Sequence, residues 1–250
     1  MLMEFTASLF DELESLYPDS DASEGADEIV VSGANGTTVG AHIMLGGLTP
    51  GLPVAIEVKG PHTSFKLFEL IAVPVEVNTG ARQRSAYLHD DVNESVIRKA
   101  PFYVYEALKP IYNLLMPAGV TAAFAFKTLI EYARKYREDE WTITISHAGK
   151  KKTLRIKVHA YPVTVEKAGK NTHKYVNWVS YANIAKYHHV EMDSPAYFKL
   201  LDRYLRMAVY LRQNLINVSL DMFIKYENGE AVVDEARLDK YIAAFRKAGF

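Results

Sequence analysis

The chain has no cysteine. That excludes a disulfide framework, and it excludes thiolate chemistry at a nucleophile or a metal. Long apolar runs are missing too. Nothing approaches the ~20 uninterrupted apolar residues of a membrane-spanning helix, and residues 1–6 carry no basic segment leading into an apolar one, as a secretory signal would. Charge of one sign is also lacking: Lys and Arg number 29 against 30 Asp and Glu, a net charge of −1. An electrostatic nucleic-acid binder would show a basic patch or a high pI. The single basic cluster, Lys150-Lys151-Lys152, reads as a solvated hairpin turn. Glycine loops that cradle phosphate, dinucleotide fingerprints and Ser–His–Asp hydrolase signatures are absent. The expectation is a cytoplasmic protein with neither nucleic-acid nor membrane partners. Asn-x-Ser/Thr sequons at Asn35, Asn93 and Asn217 are read as chance.

What is present is ample apolar material, 49% of 250 residues, enough for one large domain or two small ones. Residues 1–24 read as a helix or ordered leader followed by an acidic loop. From Glu28 the pattern becomes β. Residues 28–32 form one strand, Asn35-Gly36 is a hairpin-turn dipeptide because both residues tolerate positive φ, and residues 37–45 return. Val54, Ile56 and Val58 share one face of the next strand. Residues 65–77 make a longer one, with Pro74 marking an edge or bend. Turns follow at 78–80, at Lys109-Pro110 and at Met116-Pro117. Residues 122–126 read as a strand and 128–137 carry helix-like spacing. The clearest hairpin sets Trp141, Ile143 and Ile145 against Leu154, Ile156 and Val158. Short strands with frequent turns predict an antiparallel β-sandwich.

Past a polar linker at 166–172 the period changes from two to 3.6. Residues 174–179 are β-prone. Ser194-Pro195 opens a helix with an N-cap and a proline at its first position, and its stripe is Tyr197, Leu201, Tyr204, Leu205, Ala208 and Val209. Residues 214–220 are β-prone again. A small hairpin turns at Asn228-Gly229. Asp234 caps a last helix bearing Leu238, Tyr241, Ile242 and Phe245, with Gly249 placed for a left-handed C-terminus. Strand–helix–strand–helix is the opening of a parallel α/β structure, because parallel neighbours need a helical crossover. Two such strands cannot close a barrel, so the rest of that domain is expected to lie beyond residue 250.

Four stretches carry a family resemblance: 73–80 (VPVEVNTG), 100–110 (APFYVYEALKP), 178–191 (WVSYANIAKYHHVE) and 204–214 (YLRMAVYLRQN). In this order they resemble the bacterial glycoside hydrolase family 123-like proteins, from about residue 28 onward. The resemblance implies a mixed β and α/β chain. An N-terminal antiparallel β-sandwich over 1–168 is followed, over 169–250, by the first βαβα units of an incomplete (β/α)8 TIM barrel. It also implies retaining hydrolysis of β-N-acetylhexosaminides. An adjacent Asp-Glu pair does this work: the Glu protonates the leaving oxygen, and the Asp orients the substrate's own acetamido nucleophile. That pair belongs to a later barrel strand, so no catalytic residue is expected here. The dipeptides Asp139-Glu140 and Asp234-Glu235 are structural, one leading into the sandwich hairpin and the other capping a helix.

Barrel sites sit at the C-terminal ends of the strands. Trp178 and Tyr181 follow the first and Asp221 follows the second, so these three are the candidate substrate-binding residues. Trp178 would stack on a sugar face and Asp221 would accept from hydroxyls. The bland reading packs Trp178 at the domain junction and makes Asp221 a turn cap. Asn183 and Tyr226 are weaker candidates. His188-His189 lack a third ligand at zinc spacing; no metal and no cofactor are expected. The expected partners are a carbohydrate and, through the incomplete barrel edge, a second copy. The alternative is a non-catalytic carbohydrate-binding or protein-interaction sandwich.

Overall fold

Alternation dictates the first unit. In residues 137–147 every second side chain, Asp139, Trp141, Ile143, Ile145 and His147, is buried, and in the return strand Leu154, Ile156, Val158 and Ala160 are buried likewise. The two strands pair antiparallel across a two-residue turn at Ala148 and Gly149, both at positive φ. This is the primed turn geometry that matches strand twist.

The computed structural model describes residues 4–78, 96–166, 168–169 and 172–250. The chain divides into two compact units, Met1–Val165 and Glu166–Phe250. The first contains β1 (Thr6–Phe10), β2 (Glu28–Asn35), β3 (Thr38–Gly46), β4 (Val54–Lys59), β5 (Phe65–Val75), β6 (Phe102–Ile111), β7 (Leu114–Leu115), β8 (Ala122–Leu129), β9 (Arg137–His147) and β10 (Lys150–Thr164). Among the described residues they form two five-stranded sheets, ordered β1-β3-β8-β5-β6 and β2-β10-β9-β4-β7. The shared core draws Ile43, Leu67, Phe124 and Phe126 from one sheet and Ile56, Trp141, Ile143 and Ile156 from the other. A second cluster lies on the opposite face of the first sheet, where Leu16 and Ala22 of the acidic loop cover Met44, Leu70, Ala123 and Ala125. Residues 43–45 and 122–126 are therefore apolar without alternation, as strands buried on both faces are.

Several expectations are corrected. Residues 6–10 form strand β1, paired with β3, where a helix or leader was expected. Asn35-Gly36 makes a tight turn but no hairpin: β2 belongs to one sheet and β3 to the other. The Asn35 side chain, 2% exposed, both donates to and accepts from the backbone of Ala133 at 2.9 Å, which fixes the chain as it crosses between sheets. The sandwich is not wholly antiparallel, because β2 runs parallel to β10. Lys109-Pro110 lies inside β6, the edge strand of its sheet, the position in a sheet that tolerates proline. Residues 130–136 are not helical; Thr128 and Leu129 end β8 instead. Lys150, Lys151 and Lys152 open β10, and Lys152 pairs with Asp27. The turn expected at 78–80 and the sequon at Asn93 fall outside the described residues, wholly or in part.

The second unit holds α1 (Tyr181–Tyr187), α2 (Pro195–Tyr210), a 3-10 turn (Leu220–Phe223), the hairpin β11 (Ile224–Glu227) and β12 (Glu230–Val233), and α3 (Glu235–Ala248). Ser194 caps α2 by accepting from the Tyr197 N–H, and Asp234 caps α3 by accepting from that of Arg237. Gly249 closes α3 at φ 113°. Tyr197, Leu201, Leu205, Tyr241 and Phe245 are buried, whereas Tyr204 is exposed. Helix α1 was not expected. The β-prone runs at 174–179 and 214–220 are not strands, so among the described residues of this unit there is no parallel sheet, and no barrel is seen. A parallel pair needs cover on both faces, and here side-chain amides replace the ladder.

Candidate functional site

The candidate residues gather around those two extended runs. The Tyr175 carbonyl accepts from the N–H groups of Asn214 and Leu215, each at 3.2 Å. The Asn214 side chain accepts from the Tyr175 N–H at 2.9 Å and donates to the carbonyls of Gly169 and His173. Buried Gln213 donates to the carbonyls of Asn177 and Leu215. Further along, the Tyr181 hydroxyl donates to the Asn217 carbonyl at 3.1 Å. Tyr175 thus meets 214–215, and Tyr181, the first residue of α1, reaches 217 by its side chain. Ile216 and Val218 turn toward the helices, while Leu215, Asn217 and Ser219 are exposed.

Trp178 is 86% exposed, a large apolar ring standing in solvent. Asp221 is exposed on the 3-10 turn that follows the second run, where its backbone carbonyl accepts from Ile224. Tyr181 is 5% exposed, packed edge-on against Tyr241 with centroids 5.9 Å apart. Burial pushes its hydroxyl up to about 12, so it stays protonated and remains a donor. Asn183 and Tyr226 are exposed. His188 shares a hydrogen bond with the Tyr204 hydroxyl at 2.8 Å. Among the described residues no group of three or more His, Asp or Glu stands in metal-binding proximity. Of the Asp-Glu dipeptides, Asp139 is buried against the Arg137 guanidinium at 2.8 Å and Asp234 caps α3.

Beneath this surface lies a polar network that sequence reasoning missed. Asp193, in the loop between α1 and α2, accepts from the Tyr241 hydroxyl at 2.6 Å and pairs with Arg237 at 2.8 Å. Arg237 also donates to the Met222 carbonyl, next to Asp221. Burial, and then the bond to Asp193, push the Tyr241 hydroxyl upward. The one local signal was the Asp234 cap, which places Arg237 three residues into α3. Asn214 and Gln213 carry no sequence signal beyond polarity. Trp178 thus supplies an exposed aromatic ring and Asp221 an exposed carboxylate.

No protein-family model matches the chain, and no curated protein matches it. Among solved structures, a family 123 glycoside hydrolase from Clostridium perfringens, described for glycolipid glycan hydrolysis, aligns with a TM-score of 0.71 at 12% identity. The alignment covers 98% of this chain and 46% of that one. The chain thus spans about half the length of that structure, and the likeness is one of fold. The CooA pilin subunit of enterotoxigenic Escherichia coli aligns at a TM-score of 0.26 and 8% identity, over 64% of this chain and 99% of that one. A score that low carries no argument. No described helix is long and apolar enough to cross a membrane.

Proposed function

We propose that this chain is the sandwich and the opening strand–helix units of a glycosidase of the family 123 type. It would act on β-N-acetylhexosaminides with retention, the substrate's acetamido oxygen serving as nucleophile. The observation that carries the reading is the fold match to a family 123 hydrolase over nearly the whole chain. The two extended runs, each followed by helix, would be the first two barrel strands, completed by neighbours that cover Leu215, Asn217 and Ser219. Trp178 would then stack on a sugar ring at the C-terminal rim, where barrel sites are built. Asp221 would accept from a hydroxyl. Tyr181, buried, would serve the site indirectly by holding the Asn217 carbonyl. The general acid and the residue orienting the acetamido group would come from later strands. Without those neighbours, exposed Leu215 and Leu220 would favour pairing with a second copy.

The test compares this 250-residue chain with the longest protein its gene encodes, on a chromogenic N-acetyl-β-galactosaminide. Turnover is expected from the longer protein alone, and Trp178→Ala in it should raise KM. Turnover by the short chain, lost in Asp221→Asn, would move the catalytic centre into these residues and sink the proposal.

A further inference from the structure

The outer face of the β2–β7 sheet ends in an aromatic ledge that the glycosidase reading does not use. Ala160 of β10 is buried in the core, so the next side chain, Tyr161, stands on the opposite, outer face. Its ring centroid lies 5.4 Å from that of Tyr136, the residue before β9, and the two planes meet at 57°. Tyr136 also stands edge-on to His159, with centroids 5.8 Å apart. Both tyrosines are 46% exposed, so nearly half of each remains open to a ligand.

Polar groups rim the ledge. The strand register sets Ser32 of β2 and Glu138 of β9 on either side of His159, and both are exposed. The Tyr136 hydroxyl donates to Glu138 Oε1 at 2.6 Å. That bond, then burial, pushes the hydroxyl up to about 12, so it keeps its proton at neutral pH and the bond persists. The Tyr136 ring is thus held in place before any ligand arrives, which lowers the ordering cost of binding. Glu138 Oε2 and the Tyr161 hydroxyl make no hydrogen bond among the described residues. Further along the same face the charges satisfy one another: Glu28 pairs with Arg155 at 2.9 Å and with Lys157 at 2.6 Å.

The size of the ledge selects its occupant. A stable protein interface buries ~800 Å² on each partner. Two half-exposed rings fall far short of that, even with exposed Val163 two residues further on. They match a single sugar ring. A pyranose carries C–H groups on a face, which rest on an aromatic ring, and hydroxyls around its edge, which need acceptors and donors beside that ring. Because the two tyrosines meet at an angle, they form a corner for one ring and not a flat track for consecutive ones.

We propose that this ledge is a saccharide-binding site of the sandwich, seating one neutral pyranose ring in the corner between Tyr136 and Tyr161. Glu138 Oε2 accepts from one sugar hydroxyl, and the Tyr161 hydroxyl and Ser32 Oγ serve others. The inference does not rest on the glycosidase reading, since every residue in it belongs to the sandwich and neither Trp178 nor Asp221 takes part.

The experiment follows the Tyr161 ring resonances by NMR in the full chain, identified by their loss in Tyr161→Phe. The titrants are methyl β-galactoside, which has a C–H face, and mannitol, which has the hydroxyls without the ring. The galactoside is expected to shift the resonances saturably and mannitol to bind at least about tenfold more weakly. Tyr136→Ala and Glu138→Ala change exposed side chains, and circular dichroism checks that each keeps the fold. Each should weaken the galactoside about tenfold. Trp178→Ala removes the other exposed ring and should leave the Tyr161 shift unchanged. Absence of a saturable shift, an equal response to mannitol, unaltered binding in both Tyr136→Ala and Glu138→Ala, or loss of the shift in Trp178→Ala would each overturn the proposal.

Discussion

Gly60 lies flat against the indole of Trp141: a Cβ at position 60 would stand 2.1 Å from the ring carbon Cε3. Trp141 is 1% exposed, with Phe126 and Phe65 packed on its other sides, so the ring has nowhere to go. Gly60→Ala is expected to destabilise the sandwich by about 1–3 kcal/mol, the usual cost of overpacking a tight core. Trp141→Phe, itself destabilising, should make the alanine cheaper, and a urea-unfolding double-mutant cycle measures that coupling. Additive effects would mean that the two residues do not touch in solution.

The two tryptophans should report the two units separately. Trp178 is 86% exposed while Trp141 is 1% exposed. Replacing Trp178 by Phe should leave a blue-shifted emission that acrylamide barely quenches. Replacing Trp141 should leave a red-shifted, readily quenched one. Similar quenching in both variants would contradict the burial described above.

Asp193→Asn should destabilise the helical unit by about 1–2 kcal/mol, because the Arg237 pair and the charge-assisted bond from Tyr241 are both weakened. Asp193 sits at φ 65°, which asparagine accepts and alanine does not accept readily. Asp193→Ala should therefore cost more than Asp193→Asn in thermal unfolding. Equal losses would assign the whole effect to the lost charge, since asparagine still accepts from Tyr241 and alanine does not.

His42 makes stability depend on pH. Its folded value lies below the ordinary 6.5, so the unfolded chain binds the proton more readily. The associated stability is complete above pH ~6.5 and is lost as pH falls through the folded value. Lys127 opposes protonation, whereas Glu12, Asp11 and the Glu14 backbone favour it. The difference in unfolding free energy between the protein and its His42→Gln variant should shrink as pH falls below 6.5. A difference that grows on acidification would show that the ring gains its proton in the fold.

Much of this architecture was legible where a signal is local. The Trp141 hairpin, the Ser194 and Asp234 caps and the Asn228-Gly229 hairpin each depend on a few neighbouring residues, and each is present. The resemblance to family 123 hydrolases holds at the level of fold. What failed was long-range. Turn chemistry at Asn35-Gly36 says that the chain reverses, not whether the next strand pairs with the last or joins the facing sheet; a partner 98 residues away decides that. Pro110 reads as a breaker because the sequence does not say which strand will be at an edge. Residues 174–179 and 214–220 have strand composition but lack the covered faces that would turn it into a ladder. Around the candidate surface, Trp178 and Asp221 could be picked out by residue type. The network beside Asp221 could not, because Asp193, Arg237 and Tyr241 meet only after α2 and α3 have packed.

The clamp on Asn35 also governs how the protein ages. Asn-Gly is the dipeptide most prone to deamidation, because an unhindered glycine nitrogen can attack the asparagine amide and close a succinimide. The chain has two such dipeptides. At Asn228-Gly229 the side chain is exposed on a hairpin, free to reach the next nitrogen. At Asn35-Gly36 the amide is held on both sides by Ala133, and the Gly36 nitrogen is already donating to the Ile130 carbonyl. Stored folded protein should therefore accumulate isoaspartate at Asn228 and almost none at Asn35. Stored in denaturant, it should lose both. Once converted, position 35 would turn a buried carboxylate toward the Ala133 carbonyl, so damage acquired while unfolded would impair refolding, and a folded chain carries no such record.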